Sequence, residues 1–202
     1  MGFIFYLRAQ LMLAHQRKIA FCQNYSFEML KIIPLIHRAT EDDAALLAEL
    51  GARTFHETFA DSNKPEDMAA YLTEAFCIEK QAAELKDAKA VFFIAELQSK
   101  AVGYAKLQKG APPSCIKGAQ PVELARLYVL REWIGRGVGF RLMHACIDEA
   151  KSIGCETMWL GVWEHNRRAR AFYAKWNFCE AGAHVFQLGS DAQTDLLLER
   201  IL

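Results

Sequence analysis

The segment Gly135-Arg136-Gly137-Val138-Gly139 places three glycines and an arginine between a predicted strand and a predicted helix. Glycine allows a backbone to turn tightly and to approach a ligand closely. The unpaired N–H groups and the dipole at the start of a helix favour a bound anion, and Arg136 adds a positive charge. The spacing therefore predicts a phosphate site, for which a pyrophosphate is a suitable occupant. The alternative is a tight turn that binds nothing.

A short helix is predicted after the next strand, with Asn166 as its N-cap. Ala169, Phe172, Tyr173 and Trp176 follow at positions i, i+3, i+4 and i+7 of that helix. This period is typical of a helix that turns one apolar face toward the core. The residues by themselves therefore favour Tyr173 as a core aromatic side chain.

Taken together, Tyr128–Gly139 and the pattern Asn166-x-x-Ala169-x-x-Phe172-Tyr173 resemble the acetyl-CoA site of the GNAT acyltransferase superfamily. The family pattern in the turn, Gln/Arg-x-x-Gly-x-Gly/Ala, aligns with Ile134-Gly-Arg-Gly137-Val-Gly139. Ile134 thus replaces the usual polar residue and removes one contact to the pyrophosphate. The resemblance covers residues 32–202. Within the superfamily, the chain resembles more specifically the bacterial PaiA-type spermidine/spermine N-acetyltransferases. Four segments carry it: Arg53–Phe59, Asn63–Met68, Trp159–Glu164 and His184–Asp195.

The resemblance implies acetyl-CoA as the cosubstrate and no metal. It implies that the main-chain N–H of Val129 or Leu130 polarises the thioester carbonyl, where the strand diverges from its neighbour and can pair with pantetheine. It also implies that Tyr173 protonates the departing CoA thiolate and that Asn166 contacts the CoA arm. The residues expected to bind the cosubstrate are Tyr128, Val129, Leu130, Gly135, Arg136, Gly137, Val138, Gly139, Asn166 and Tyr173.

An alkyl ammonium acceptor has a reference pKa of about 10.4 and must lose a proton before it attacks. Glu123, on the strand before the turn, is our candidate general base, acting directly or through water. The alternative is an exposed strand residue. The resemblance places the acceptor pocket near acidic residues that would attract a polycation, although each of them also suits a solvated helix face. The residues expected to bind the acceptor are Glu57, Asp61, Glu66, Asp67 and His184.

The sequence thus predicts an acetyl-CoA-dependent N-acetyltransferase whose acceptor is a small-molecule primary amine, foremost a polyamine such as spermidine or spermine. A second interpretation keeps the enzyme and changes the acceptor to a protein or peptide amine. A third is a CoA-binding regulatory domain without turnover. Tyr173 argues against the third interpretation, and Ile134 is the one feature in its favour.

Hydrophobic periodicity predicts the elements that would position these residues. Their order is β-α-α-β-β-β-α-β-α-β-β, which indicates an α/β fold with a mixed, mostly antiparallel sheet and helices on both faces. Strand 122–130, helix 137–153 and strand 157–163 are expected to form a right-handed parallel crossover. The other predicted elements are strand 31–39, helices 44–59 and 65–85, the hairpin of 91–97 with 101–107, and the hairpin of 182–188 with 194–201. The residues expected on one face of their strand are Glu123, Ala125, Leu127 and Val129.

The chain has 202 residues, of which 52% are hydrophobic and 24% charged, and this predicts one folded domain, 31–202, after an extension, 1–30, of unassigned role. The 24 Lys and Arg residues balance 24 Asp and Glu residues, so no basic excess favours nucleic-acid binding. No apolar run reaches the ~18 residues of a membrane helix, and the start lacks the features of a secretory signal. Six cysteines without metal-site spacing favour reduced thiols in a cytoplasmic protein. A homodimer is left open.

Overall fold

The structure is a computed structural model that describes residues 33–202. The extension predicted for residues 1–30 and the start of the first predicted strand lie outside the described residues. The strands are β1 (Leu35–Arg38), β2 (Ala90–Leu97), β3 (Lys100–Gln108), β4 (Pro121–Val129), β5 (Thr157–Trp163), β6 (Cys179–Leu188) and β7 (Asp191–Ile201). The helices are α1 (Ala44–Phe59), α2 (Pro65–Ala75), α3 (Ile78–Lys86), α4 (Val138–Ser152) and α5 (Arg167–Ala174). None of these helices is both long enough and apolar enough to cross a membrane.

All seven strands form one sheet in the order β1-β2-β3-β4-β5-β7-β6. Each neighbouring pair is antiparallel except β4 and β5, which are parallel and are connected through α4. Parallel strands need a crossover connection, and the helix supplies it. The predicted mixed sheet with one parallel β-α-β unit is therefore confirmed.

Apolar side chains cover both faces of the sheet. On one face α4 packs against β2, β3 and β4 and buries Leu142, Met143 and Cys146 completely. On the other face α1 packs against β3 and β4, where Leu47 and Tyr104 are completely buried in one cluster. These two layers hold the central strands in place, which is the support that a site at the strand ends requires.

The single helix predicted over residues 65–85 is wrong, because the chain forms two helices that are separated at Phe76 and Cys77. Phe76 leaves helical geometry with φ −124° and ψ 26°, and its side chain is buried. The side-chain Nε2–H of Gln81 donates to the carbonyl of Ala75 at 2.9 Å. This bond satisfies a carbonyl at the helix end that has no partner within the helix, so the break leaves no buried polar group behind it.

The last hairpin has a shorter turn and longer strands than predicted. The sequence predicts a loop over residues 189–193, but Leu188 pairs with Asp191, so the turn consists of Gly189 and Ser190 alone. Gly189 has φ +57°, a conformation that favours glycine. At this tip the Ser190 hydroxyl donates to the Asp67 carboxylate at 2.8 Å, which joins the hairpin to α2.

The prediction that Glu123, Ala125, Leu127 and Val129 share one face of β4 is wrong. Lys106 pairs with Arg126 while Leu107 pairs with Leu124, so Ala125 is an extra residue in β4. Such a bulge shifts the alternation of side chains by one residue. Leu124, Leu127 and Val129 consequently lie on the side of α4, in one apolar cluster. Glu123 shares the opposite face with Arg126 and Tyr128.

A buried ionic cluster connects β3 and β4 to α3. Arg126 donates to both oxygens of the Glu84 carboxylate, at 2.7 and 3.0 Å, and Lys106 Nζ lies 3.2 Å from the same group. The three side chains are between 9% and 18% exposed. Burial acts to raise the pKa of Glu84, but the two cations outweigh it and lower that pKa. The carboxylate therefore stays ionised and compensates the positive charge beneath β4.

We expect Glu84→Gln to lower the free energy of unfolding by about 3 kcal/mol, because it leaves two buried cations without their carboxylate. The lowered pKa means that Glu84 stabilises the protein above the pKa it has in the unfolded chain. That contribution is lost as the pH falls through the lower, folded-state pKa. Urea denaturation at pH 7 and at acidic pH measures both effects. Glu79→Gln, on the exposed face of the same helix, is the control, and equal stability of the two variants would contradict the prediction.

Candidate active site

The parallel strands β4 and β5 pair at only three positions and then diverge. The pairs are Pro121 with Thr157, Val122 with Met158, and Glu123 with Trp159. Beyond them lies a cavity of about 770 Å³ that is lined from both strands and from the helices around them. The widening between two strands of one sheet thus creates this cavity.

The divergence leaves one edge of β4 open. In an antiparallel pair, successive residues point their N–H and C=O groups alternately toward and away from the partner strand. The N–H of Leu130 donates to the carbonyl of Val102 at 3.0 Å, and Val129 lies opposite Gly103. The backbone groups of Val129, and of Leu127 two residues earlier, therefore point toward the cavity. Of the two N–H groups expected to polarise a carbonyl, that of Val129 faces the cavity and that of Leu130 is bonded to β3.

The predicted glycine turn lines the cavity at the start of α4. The turn and Ile134 together form one end of the cavity, which we call its glycine end. Gly135 and Gly137 have φ +80° and +85°, and a Cβ at either position would find no atom within 4 Å. The first main-chain bond of the helix runs from Arg141 to Gly137, so the preceding N–H groups have no partner within the helix. Open space, free donors and a helix dipole fit a phosphate group.

The other residues expected at this end are placed differently. The Arg136 guanidinium lies over the Trp133 ring, 5.1 Å from its centroid, and does not line the cavity. Val138 and Leu130 are buried and do not line the cavity. Tyr128 lines the cavity, and its ring lies edge-on to that of Tyr104 at 5.5 Å.

Asn166 and Tyr173 both line the cavity from α5. Asn166 caps this helix, because its Oδ1 accepts the N–H of Ala169 at 3.1 Å. Tyr173 is 8% exposed, and its ring lies 5.7 Å from that of Phe178. Burial raises the pKa of Tyr173, so the phenol keeps its proton at neutral pH. Tyr173 therefore combines the core contacts suggested by its helical period with access to the cavity.

Glu123, His184 and Asp195 line the opposite part of the cavity, which we call its anionic end. Burial raises the pKa of Glu123, and the nearby cations Lys106 and Arg126, with His184, oppose part of that shift. Burial also raises the pKa of Asp195, again opposed by His184, whose Nε2 lies 3.8 Å from Asp195 Oδ2. Carboxylates with raised pKa values in a cleft are typical of functional sites.

Aromatic rings wall the space next to the anionic end. Tyr71 of α2 stacks on Phe55 of α1 at 4.7 Å and meets Phe186 of β6 edge-on at 5.7 Å. Phe59 meets Trp163 of β5 edge-on at 6.0 Å. All five line the cavity. Such walls suit the methylene chain of a ligand and, through their faces, a cation.

Glu57 connects α1 to the segment between β4 and the glycine turn, and its expected role in binding the acceptor stays a prediction. Its carboxylate accepts the main-chain N–H of Arg131 at 2.8 Å and the Nε–H of Arg53 at 2.9 Å. Its main-chain carbonyl accepts a bond from the Arg131 guanidinium. Burial acts to raise the pKa of Glu57, but these contacts outweigh it and lower that pKa. Glu57 is thus an ionised structural link outside the cavity lining.

The other three predicted carboxylates are also outside the lining. Asp61 and Glu66 are exposed, and Asp67 accepts the hydroxyl of Ser190. The acceptor-binding role of these residues stays a prediction. No group of three or more His, Cys, Asp or Glu side chains within residues 33–202 is arranged to hold a metal ion.

Asp195, Tyr71 and Trp163 are cavity residues that the sequence analysis did not single out. One signal for Trp163 was present, because Trp159, Gly161 and Trp163 alternate along a strand and must share a face. Asp195 ends one of the segments that carry the resemblance, but its position opposite His184 depends on the register of the last hairpin.

Known proteins are similar to this chain in sequence and in fold. The model of the acetyltransferase (GNAT) family matches residues 49–178. An uncharacterised N-acetyltransferase from the pepI 3′ region of Lactobacillus delbrueckii subsp. lactis is 31% identical over 167 residues, which span 83% of this chain and 96% of that protein.

Two solved structures share the fold. The PaiA N-acetyltransferase of Thermoplasma acidophilum, in complex with coenzyme A, has a TM-score of 0.67 and 22% identity, and the match covers 84% of this chain and 99% of that chain. The ribosomal-protein-alanine N-acetyltransferase of Brucella melitensis has a TM-score of 0.66 and 24% identity, with 83% and 99% covered.

We expect Gly137→Glu to weaken acetyl-CoA binding at least 10-fold, because a carboxylate at the turn would fill the open space and repel a phosphate. Isothermal titration calorimetry with acetyl-CoA measures the affinity. Gly154→Glu is a matched control, since Gly154 has φ +77° and an equally open Cβ position at the other end of α4. Both variants carry the same backbone strain, so their melting temperatures should fall alike. Equal affinities would place the cosubstrate elsewhere.

Proposed function

The chain belongs to the acetyltransferase (GNAT) family and is an acyltransferase that uses acetyl-CoA, and we propose that its acceptor is a primary amine of a polyamine such as spermidine or spermine. The observation that carries the proposal is the anionic end of the cavity. There two carboxylates, Glu123 and Asp195, lie beside aromatic walls. Partly buried carboxylates favour a cationic acceptor over a neutral one, because little solvent screens their attraction.

The glycine end and the open edge of β4 fit the two parts of acetyl-CoA that a protein backbone can recognise. The turn at Gly135 and Gly137 offers N–H groups and space for the pyrophosphate. The backbone groups of Leu127 and Val129 offer strand-like partners for the pantetheine amides. Ile134 lines the cavity without adding a polar contact, so the affinity depends on the backbone donors. Acetyl-CoA supplies the activated acyl group.

Two side chains of the cavity are suited to the proton transfers. Tyr173 keeps its phenolic proton at neutral pH and so can donate it to a thiolate, whose conjugate acid has a reference pKa of about 8.5. The raised pKa of Glu123 makes its carboxylate a stronger proton acceptor than that of an ordinary glutamate. The N–H of Val129 can donate to the carbonyl oxygen as negative charge develops on it.

The aromatic walls support an elongated acceptor. Tyr71, Phe186 and Trp163 present apolar surface to the methylene chain of a polyamine, and their ring faces attract its ammonium groups. Asp195 can pair with an ammonium group next to the one that reacts at Glu123. A neutral or anionic acceptor would leave at least one of these carboxylates unpaired in a half-buried site, which costs free energy.

The fold by itself does not select the acceptor. The two structural neighbours described above have almost the same TM-score, although only one of them is named for a protein acceptor. A thiol-release assay with acetyl-CoA and a panel of polyamines, monoamines, amino acids and N-terminal peptides decides the question. Selective turnover of polyamines is expected. Turnover of peptides alone would identify a peptide amine, and not a polyamine, as the acceptor. The absence of turnover with every amine would favour a non-catalytic CoA-binding domain.

We expect the KM for spermidine to rise several-fold between 20 and 300 mM salt, because ions screen its attraction to Glu123 and Asp195. The KM for a monoamine such as butylamine should rise less, since it carries one charge instead of three at neutral pH. Initial rates of thiol release over a salt series measure both constants. A KM for spermidine that does not depend on salt would count against an anionic acceptor site.

We expect Tyr173→Phe to lower kcat by about 10²-fold while the affinity for acetyl-CoA stays the same. The hydroxyl is needed where the thiolate departs, so its loss affects the transition state more than the bound ground state. Phenylalanine keeps the ring and its contacts with Phe172 and Phe178, so the melting temperature should barely change. Steady-state kinetics and calorimetry separate the two effects.

Tyr104→Phe is the matched control for this change. Tyr104 is completely buried in the cluster below α1 and does not line the cavity. It should therefore keep the wild-type kcat. If Tyr173→Phe also turns over at the wild-type rate, Tyr173 has no part in the proton transfer.

A further inference from the structure

The following inference rests on the proposed function. Acetylation of an amine leaves one proton that must be removed from the site. The acceptor ammonium loses two protons on becoming an amide nitrogen. The departing CoA thiolate takes up one, so the other must reach solvent. Glu123, the proposed proton acceptor, is partly buried and lines the cavity. Its proton must therefore leave by way of the cavity, and a titratable side chain there can take part in that route.

His184 lines the same cavity as Glu123 and is also exposed to solvent. It lies on the edge strand β6, opposite Asp195 of β7, and its side chain is 48% exposed. Its charge acts on the Glu123 carboxyl across the cavity that both residues line. An imidazole in this position faces the cavity on one side and water on the other.

Asp195 and Gly161 determine how His184 enters the cavity. His184 Nε2 lies 3.8 Å from Asp195 Oδ2, and both atoms lie 3.6 Å from the point where Gly161 would carry a Cβ. A Cβ at position 161 of β5 would make ordinary van der Waals contact with both groups. The imidazole and the carboxylate therefore lie together directly over this residue of β5.

Charged groups surround His184 in the cavity. Asp195 of β7 and Glu123 of β4 are carboxylates, and the phenol of Tyr71 from α2 is close enough to Asp195 to feel its charge. From β5 come Gly161 and two tryptophans, which carry no charge. The cations Lys106 and Arg126 both pair with Glu84, and Arg126 also lines the cavity. His184 therefore meets carboxylates from two strands.

We propose that His184, held by Asp195, carries the acceptor proton from Glu123 to solvent. The acceptor ammonium gives its proton to the Glu123 carboxylate, which becomes a carboxylic acid. That proton passes, directly or through one water, to a ring nitrogen of His184, and the imidazole releases it to bulk water. Asp195 keeps the ring in place. Glu123 and His184 return to their starting states, and no bond other than N–H and O–H bonds changes in the relay.

Chemical rescue of His184→Ala tests the proposal. At pH 7 the variant should have a kcat on the order of 10-fold below wild type, since exposed water replaces the relay only in part. Because the deletion leaves an exposed gap, added imidazole at tens of millimolar should restore turnover in proportion to its concentration. Raising the pH to 9 should restore it as well. The KM for the amine and the affinity for acetyl-CoA should change little.

Three further variants separate the relay from other roles. His184→Gln fills the gap and cannot carry a proton, so imidazole should not rescue it. Asp195→Asn should lower kcat less than His184→Ala, because it disturbs the ring without removing it. His37→Ala is the control. His37 lies on β1, outside the cavity lining, and its Nε2 forms a similar pair with Glu96 Oε2 at 3.6 Å. It should keep the wild-type rate, with or without imidazole.

Each outcome bears on one claim. A rise in KM at unchanged kcat for His184→Ala, or a loss that imidazole and high pH do not restore in a folded variant, overturns the relay and makes His184 a binding or structural residue. Wild-type kinetics of His184→Ala overturn it too. Failure of the proposed function is seen separately, in the wild-type protein, as the absence of thiol release with every amine, and it removes the relay as well.

Discussion

The site depends on the parting of two parallel strands after three residue pairs. Where β4 and β5 separate, the backbone of β4 keeps N–H and C=O groups without a strand partner. Such groups are costly when they are buried and unpaired, so the opening is stable only beside solvent or a ligand that replaces the strand. The two-sided apolar core holds β4 in this position from above and below. The cavity is therefore a property of the sheet as a whole.

The same strand carries opposite chemistry on its two faces because of one extra residue. The bulge at Ala125 leaves Leu124 and Leu127 in the core under α4 and turns Glu123, Arg126 and Tyr128 toward the cavity and α3. The Glu84 carboxylate of α3 compensates the positive charges of Arg126 and Lys106. Without that compensation two buried cations would stabilise the ionised form of Glu123 more strongly and make it a weaker proton acceptor.

The donor and acceptor halves are tied together through Glu57. It binds the N–H of Arg131, where the chain leaves β4 for the glycine turn, and α1 that carries it also supplies Phe55 and Phe59 to the aromatic walls. A shift of α1 would therefore move the turn and the acceptor walls together. Glu57 thus forms a structural link between α1 and the glycine turn, which its charge and its place in a helix do not reveal.

The sequence by itself determined the elements and the position of the glycine turn. Strong periodicity identified α1, α4 and β5, and local glycine and Asn-cap chemistry identified the turn and the start of α5, because these signals act over a few neighbouring residues. The tertiary structure decided which charges meet. The bulge that turns Glu123, the break between α2 and α3, and the register that sets His184 opposite Asp195 arise from contacts between residues distant in the chain. No local pattern records such contacts, since a one-residue change in register moves every side chain of a strand to the other face.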